Sequence, residues 1–347
     1  MGILAFAATV SCSKAPVIED ENAWIDDDTK PVPVLFNTTR GISAQTKAIV
    51  TGSVMNSLDV GIIGVAEKTG DGNESVAWDP AVDWTILIDN KKVTTGVDGS
   101  ITLSPKVYYP FGNKYAYTFY SYYPYQNSES QAAVIGEGKY SITYSLGDTD
   151  ILWAKAEATD FEGIKGFNAK YCRAVSKSEI DNKNDYLPKL PYKHLLTALD
   201  FKVKSNDSDI DSYDIKVTGM ELVNTHTSAS LCVCDNSQST STGTLTPSGN
   251  GRIGRTDLNV KPSTSSRDLC TILAYPATSY TAEITIKFTY EEQTKTSVVS
   301  LPINGSESYN SGYIYSFIVT VNKPEEVTIV QTTLEEWKDG TAGAEEI

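Results

Sequence analysis

The residue types that carry most acid–base and metal chemistry are scarce in this sequence. Its 347 residues include two histidines, His194 and His226, and no serine or cysteine motif of the nucleophile type accompanies His194. Histidine is the usual general base near neutral pH and a frequent metal ligand, so catalysis or a metal site has little to draw on. The sequence therefore predicts a non-enzymatic protein without a cofactor or a metal ion.

Three aspartates at alternate positions, Asp207, Asp209 and Asp211, offer the oxygen ligands that Ca²⁺ prefers. A calcium loop of the EF-hand type also needs a glycine where Ser212 stands and a bidentate glutamate where Thr218 stands. The pattern therefore predicts a solvated loop.

Cys12 follows an apolar run that ends in small residues, which resembles the end of a bacterial lipoprotein signal. The positive region expected before such a run is absent, which points to a start codon further upstream. Elsewhere no apolar run approaches the roughly 20 residues that a membrane-spanning helix needs. The sequence predicts that Cys12 is acylated and that the chain meets the membrane only through this lipid anchor.

The other cysteines form an even set that allows three pairings in an oxidising compartment. Cys232 and Cys234 lie two apart in a predicted strand, so they share a face and are poorly placed to bridge each other. Their spacing matches no zinc pattern. Buried free thiols and a bridge from Cys270 both stay open. The four residues are Cys172, Cys232, Cys234 and Cys270.

Composition narrows the class of protein. Forty-four acidic residues against 29 basic residues give a net charge of −15, which disfavours nucleic acid as a partner. Twenty tyrosines, frequent serine, threonine and valine and only three methionines favour strands over helices. The chain is therefore expected to be all-β, and its length suggests two domains.

Four regions are predicted along the chain. Residues 1–12 are a signal remnant, and 13–30 form a polar, acidic tether. Folding starts at residue 31, where the alternating Val32, Val34 and Phe36 predict a short edge strand between two prolines. A charged, asparagine-rich stretch closed by prolines separates an N-terminal domain of residues 31–185 from a C-terminal domain of 186–347.

The second half has the clearest strand patterns. Ala282, Ile284 and Ile286 alternate with polar residues, which is typical of a strand with one buried face. Residues 313–321 are apolar on both faces and predict a central strand. Residues 235–251 are rich in serine, threonine and glycine and predict a long exposed loop.

The order of these features resembles the fimbrillin family of Bacteroidales fimbrial lipoproteins over nearly the whole chain. The resemblance implies two transthyretin-like Greek-key β-sandwich domains in tandem, and a lipid-anchored precursor at the cell outer membrane that becomes part of a cell-surface fimbrium. The residues that carry it are Cys12, the strand 32–36 with Thr39 and Arg40, the block Tyr122, Tyr123 and Pro124, the run Ile151 to Ala154, the spacing of His194, Leu195, Leu196, Leu199 and Phe201, and Trp337, Asp339 and Gly340.

The same resemblance implies a mechanism of assembly. An arginine-specific protease removes the strand 32–36 by cutting between Arg40 and Gly41, and subunits polymerise by donating a strand to a neighbour. Lys30 is disfavoured as the cleavage site because Pro31 follows it, while Lys47 stays an alternative. The implied partners are other fimbrial subunits, the protease, and a host or bacterial surface receptor. The donor residues are Val327, Ile329, Val330 and Leu334.

Two further hypotheses compete with a fibre subunit. A non-polymerising adhesin or glycan-binding lipoprotein would have the same fold, and Trp78, Trp84 and Trp153 could then stack on sugars rather than fill a core. A chain segment that continues past Val321 to residue 347 favours a subunit that donates a strand. A hydrolase with paired carboxylates is the third hypothesis, but no motif singles out two acidic residues.

Overall fold

The fold is seen in a computed structural model, which describes residues 22–36, 55–68, 85–111, 115–127, 139–156, 161–164, 166–180, 186–235, 242–288, 293–303, 308–323 and 326–336. Sixteen strands and one α-helix lie in this part of the chain. The all-β class is therefore confirmed. The elements are β1 (Asp59–Lys68), β2 (Thr85–Thr94), β3 (Tyr115–Tyr123), β4 (Lys139–Ser145), β5 (Leu152–Ala156), α1 (Ala169–Lys177), β6 (Lys193–His194), β7 (Thr197–Lys204), β8 (Ile215–Thr225), β9 (Ser228–Asp235), β10 (Leu245–Ser248), β11 (Gly251–Arg255), β12 (Arg267–Ala274), β13 (Thr281–Phe288), β14 (Gln293–Ser300), β15 (Tyr313–Lys323) and β16 (Glu326–Glu336).

The strands form four sheets. Sheet A has the order β2-β1-β3-β5-β6, and sheet B has the order β10-β9-β4. Sheet C has the order β11-β8-β13-β14, and sheet D has the order β12-β7-β15-β16. The pairs are antiparallel except for β7 and β15, which run parallel. Because β15 lies between β7 and β16, the prediction that residues 313–321 form a central strand is confirmed.

Strand β1 is apolar on both faces because sheet A is covered on both sides. Val60 and Ile62 pack in a core with the N-terminal residues and α1. Ile63 and Val65 pack in a second core, which continues through sheet B into sheets C and D. A strand with two buried faces has a nearly continuous run of apolar residues in its sequence, and residues 58–66 show this pattern.

Two glycines in β1 allow aromatic rings of β3 to lie flat against the strand. Gly61 faces Tyr122 across the pair, and Gly64 faces Phe119. A Cβ at Gly61 would lie 2.3 Å from the Tyr122 ring, and one at Gly64 would lie 2.9 Å from the Phe119 ring. The missing side chains are therefore a packing requirement of sheet A.

Sheets C and D carry the alternation that the sequence predicts. Ala282, Ile284 and Ile286 of β13 are buried in the core, as predicted. On the opposite face, Glu283 accepts two hydrogen bonds from Arg252 of β11, at 2.6 and 2.8 Å. A face of charged and threonine side chains thus covers sheet C on its solvent side.

Strand pairing crosses the predicted boundary between residues 185 and 186. Strand β4 precedes that boundary, yet it pairs with β9, and Ile142 lies opposite Leu231. Strand β6 follows the boundary, yet it closes sheet A by pairing with β5. The four predicted regions and the independent folding of two domains therefore stay predictions.

Candidate functional site

The N-terminal segment comprises residues 22–36, and its residues 32–36 lie in a groove on one face of sheet A. The Val34 amide donates to the Val107 carbonyl at 2.8 Å, and the Tyr109 amide donates to the Val32 carbonyl at 2.9 Å. Pro33, which has no amide proton, lies opposite Tyr108 in this short bridge. The predicted strand 32–36 is therefore an extended segment paired at one point with residues 107–109.

Within residues 32–36, every second side chain points into the core. Val32, Val34 and Phe36 are 1%, 5% and 6% exposed, whereas Leu35 is 42% exposed. The Phe36 ring meets the Phe119 ring edge to face, with centroids 5.3 Å apart. The Phe119 ring, which packs against Gly64 of β1, is thus part of the floor of the groove.

The groove is lined by groups that stay uncharged near neutral pH. The Tyr109 ring packs against Tyr117 at 5.9 Å and against Phe119 at 6.3 Å. Burial raises the pKa of the Tyr109 hydroxyl well above its ordinary value, and it raises the pKa of the Cys172 thiol to about 12. An apolar extended peptide fits such a lining, and a charged ligand does not.

Residues 22–30 are folded into consecutive turns and rest on the body of the protein. Trp24 is 7% exposed and belongs to the same core as Val32 and Phe36. Asp27 accepts hydrogen bonds from the Thr29 hydroxyl and amide, which lower the pKa of its carboxyl group. The last residues of the predicted tether are thus part of the docked N-terminal segment.

The residues predicted for lipid attachment and cleavage lie outside the described residues. These are Cys12, Arg40, Gly41 and the alternative Lys47. Lys30 is described, and its amide donates to the Asp27 carbonyl at 3.1 Å, within the docked turns. Acylation of Cys12 and a cut after Arg40 stay predictions.

The predicted donor residues lie in β16, at the edge of sheet D. Val327 pairs with Val321, Ile329 with Val319, Val330 with Ile318 and Leu334 with Tyr315. Among the described residues, no strand pairs with the outer side of β16. The segment therefore occupies an edge of its own sheet, and a donor role requires that it leave β15.

The three aspartates of the calcium-like pattern shape a turn. The Asp209 amide donates to Asp207 Oδ1 at 2.9 Å, and the Ser212 hydroxyl donates to the Asp209 carbonyl at 2.6 Å. A short 3₁₀ helix, Ile210–Ser212, follows. In the part of the chain that is described, no three His, Cys, Asp or Glu side chains are grouped so as to hold a metal ion.

A buried aspartate–histidine pair is a feature that sequence reasoning missed. Asp150 Oδ2 and His194 Nδ1 are 2.8 Å apart, and both side chains are 0% exposed. The pair ties the residues before β5 to β6. Because neither side chain is exposed, the pair is placed to fix β6 against the start of β5. The sequence signals were an aspartate just ahead of one strand and a histidine at a predicted strand start.

The aromatic and cysteine residues considered for other roles lie in the core or pack against it, where they are described. Trp153 Nε1 donates to the Val233 carbonyl at 2.9 Å, and the Trp153 ring packs beside Tyr120 at 6.3 Å. Trp78 and Trp84 lie outside the described residues. The four cysteines of the body, Cys172, Cys232, Cys234 and Cys270, are free thiols.

Across the described ranges, no helix is both long and apolar enough to cross a membrane.

The chain is similar to known proteins in sequence and in fold. A sequence model described as fimbrillin-like matches residues 46–337. No curated protein sequence matches the chain significantly. Among solved structures, a "putative cell adhesion protein" from Bacteroides uniformis is similar over 90% of this chain and 100% of that chain, with 19% identity and a TM-score of 0.53. At that identity the similarity shows a shared fold.

Two more distant structures are similar over much of the chain. One is a "putative cell adhesion protein" from Bacteroides fragilis, with 12% identity, coverage of 89% and 99%, and a TM-score of 0.39. The other is the fimbrial anchor protein Mfa2 from Porphyromonas gingivalis, with 11% identity, coverage of 89% and 98%, and a TM-score of 0.31. Neither score is high enough to carry an argument.

Proposed function

The chain belongs to the fimbrillin-like family and is therefore a fimbrial or adhesin-like protein of the cell surface, and we propose that it is a structural subunit, stalk or accessory, of fimbriae. In this proposal it is exported as a lipoprotein acylated at Cys12, anchored in the outer membrane and cut after Arg40. The subunits then polymerise by exchanging strands. Its partners are other fimbrial subunits, an arginine-specific protease and a surface receptor, and its role is not catalytic.

The docking of residues 31–36 is the observation that carries this proposal. Three buried apolar side chains alternate along a short segment that pairs with the body at a single bridge. Fully burying a Val or Phe side chain contributes about 1.5–3 kcal/mol. Loss of this segment would thus expose an apolar groove together with the unpaired backbone of residues 107–109, and an incoming strand can satisfy both.

Strand β16 supplies the complementary part. It is an edge strand, and its sequence around Val327, Ile329 and Val330 is apolar and β-branched, as a strand that fills an apolar groove must be. Moving β16 from its own sheet into the groove of a neighbour exchanges one set of backbone hydrogen bonds for another. The net gain comes from apolar groove surface, at about 25 cal/mol per Å².

The test is proteolysis followed by assembly. The full chain is incubated with an arginine-specific protease, and the new N-terminus is sequenced. Oligomers are then compared on native and denaturing gels for the wild type, for Arg40→Ala and for a chain that ends at Val321. We expect a new terminus at Gly41, and ladders that are lost in both variants. Normal ladders from either variant would refute strand exchange through these segments.

The second candidate function is an adhesin or glycan-binding lipoprotein that does not polymerise. One observation favours it: β16 already completes sheet D of its own chain. A monomer that stays monomeric after a complete cut at Arg40, and that binds cells or glycans, would support this function over the first.

A further inference from the structure

A buried arginine holds the N-terminal segment at the end opposite to the groove. Arg173 lies on α1, and its side chain is only 10% exposed. Its Nε donates to the Trp24 carbonyl at 3.0 Å, and one terminal nitrogen donates to the Lys30 carbonyl. The same nitrogen lies 3.4 Å from the Asp27 carbonyl and 3.5 Å from the Asp28 carbonyl.

The guanidinium group therefore donates hydrogen bonds to backbone carbonyls that point out of the turns of residues 22–30. Its planar arrangement of five donors suits this task, whereas a lysine ammonium would not span the same acceptors. Asp28 Oδ1 adds a longer ionic contact at 3.5 Å from Nε. Hydrogen bonds from a charged donor in a buried site are among the stronger ones in proteins.

We propose that Arg173 is the anchor of a peptide-binding site whose ligand is the chain's own N-terminal segment, and that this segment stays bound after the chain is cut. The proposal rests on the proposed function in assuming that the chain is cut at a position C-terminal to Phe36, such as the bond after Arg40. Trp24, Val32, Val34 and Phe36 all lie on the N-terminal side of such a cut, so cleavage leaves their contacts intact. An incoming strand must then displace a bound peptide.

This site would also determine when a subunit leaves the membrane. With a lipid on Cys12, the N-terminal segment connects the anchor to the body through Arg173 and the groove rather than through a covalent bond. A cut subunit then stays at the membrane until strand exchange releases it. Cleavage and release become separate steps.

The test uses a cleavage site that does not depend on Arg40. In the full chain, residues 38–44 are replaced by the recognition sequence of a sequence-specific protease, Cys12 is changed to serine to remove the lipid, and a fluorophore is placed on the N-terminus. After cleavage the protein is diluted to nanomolar concentration. Fluorescence anisotropy then gives the rate at which the labelled segment dissociates.

Four variants of this chain are compared. Arg173→Met removes the donors and keeps the aliphatic stem, and Arg173→Lys keeps the charge. Lys170→Met, on the same helix with an exposed side chain, is the matched control. Trp24→Ala changes only the bound segment, so it tests the site even if Arg173→Met folds poorly. The melting temperature of each uncut chain shows whether that variant folds.

We expect Arg173→Met to release the segment about 10- to 100-fold faster than wild type, since hydrogen bonds from charged groups are lost. Trp24→Ala should also accelerate release, Arg173→Lys should be intermediate, and Lys170→Met should stay within about twofold. The inference is overturned if the wild-type segment dissociates at once, or if a folded Arg173→Met chain releases it at the wild-type rate. Where Arg173→Met does not fold, release at the wild-type rate from Trp24→Ala overturns it. None of these results depends on whether the natural protease cuts at Arg40 or whether fibres form, so the inference can fail while the proposed function stands.

Discussion

Replacing Phe36 with alanine measures how strongly the N-terminal segment is docked. The ring is 6% exposed and meets Phe119 edge to face at 5.3 Å. Losing its burial costs about 2–3 kcal/mol, and losing the aromatic pair costs about 1 kcal/mol more. The expected loss in the free energy of unfolding is therefore about 3–4 kcal/mol, within the range for a buried phenylalanine changed to alanine.

The matched control is the neighbouring Leu35→Ala, since Leu35 is 42% exposed. It should cost less than about 1 kcal/mol. Urea denaturation of the uncut chain, followed by circular dichroism, gives both values. Hydrogen exchange of the Val34 amide, which donates to Val107, reports whether the segment detaches locally. Equal losses for the two variants, with unchanged exchange at Val34, would refute the groove as the holding site.

Three further predictions concern packing, charge and thiols. Gly61→Ala should lower stability by about 1–3 kcal/mol, because a Cβ there would lie 2.3 Å from the Tyr122 ring; an unchanged melting temperature would contradict this packing. Arg252→Met should destabilise the chain more near pH 6 than near pH 2. Hydrogen bonds from Arg252 lower the pKa of Glu283 below its ordinary value of 4.5. The stabilisation from these bonds is therefore present above pH 4.5, and it is lost as the pH falls through the lowered pKa. If Arg252→Met lowered the urea midpoint by the same amount at both pH values, this account of the Arg252–Glu283 pair would be wrong. Near pH 8 three thiols of the native chain should react slowly with a labelling reagent, because burial raises the pKa of each to about 12, and rapid labelling of any of the three would be contrary evidence. These three are Cys172, Cys234 and Cys270.

Periodicity in the sequence was sufficient for strands that bury one face or both. The alternation of Ala282, Ile284 and Ile286 matches the burial in β13, and the apolar run at 313–321 became the central strand β15. In such strands the side-chain pattern and the environment coincide, so local sequence carries the information.

Other elements could not be predicted because their signal lies in tertiary contacts. The nine residues of α1 make only about 2.5 turns, and they bury a charged residue, Arg173, which a sequence pattern would place on the solvent side. Asn168 begins the helix by accepting a hydrogen bond from the Tyr171 amide. The prediction of a loop over residues 235–251 is wrong for Leu245–Ser248, which forms β10 because β9 offers a partner, with Pro247 tolerated at the edge. Polar residues become a strand there only through pairing.

The candidate site also has one part that the sequence predicts and one part that it does not. The burial of Val32, Val34 and Phe36 follows from their alternation, and it was predictable. The contacts of Arg173 with the carbonyls of Trp24 and Lys30 join positions far apart in sequence, and no spacing rule indicates them. Acylation at Cys12 and cleavage at Arg40 stay predictions.

The parallel pairing of β7 with β15 sets an order of events during synthesis. Ala198 pairs with Ile314 and Lys204 pairs with Thr320, so the centre of sheet D joins two segments that are far apart in sequence. Until β15 emerges, β7 has an open edge beside apolar side chains, and such non-local pairings form slowly because a long loop must first close. A growing chain thus exposes an aggregation-prone strand from the synthesis of β7 until the synthesis of β15. Sheet D can be completed only after β15 has been made, so a chaperone that shields β7 during this interval would raise the yield of native protein.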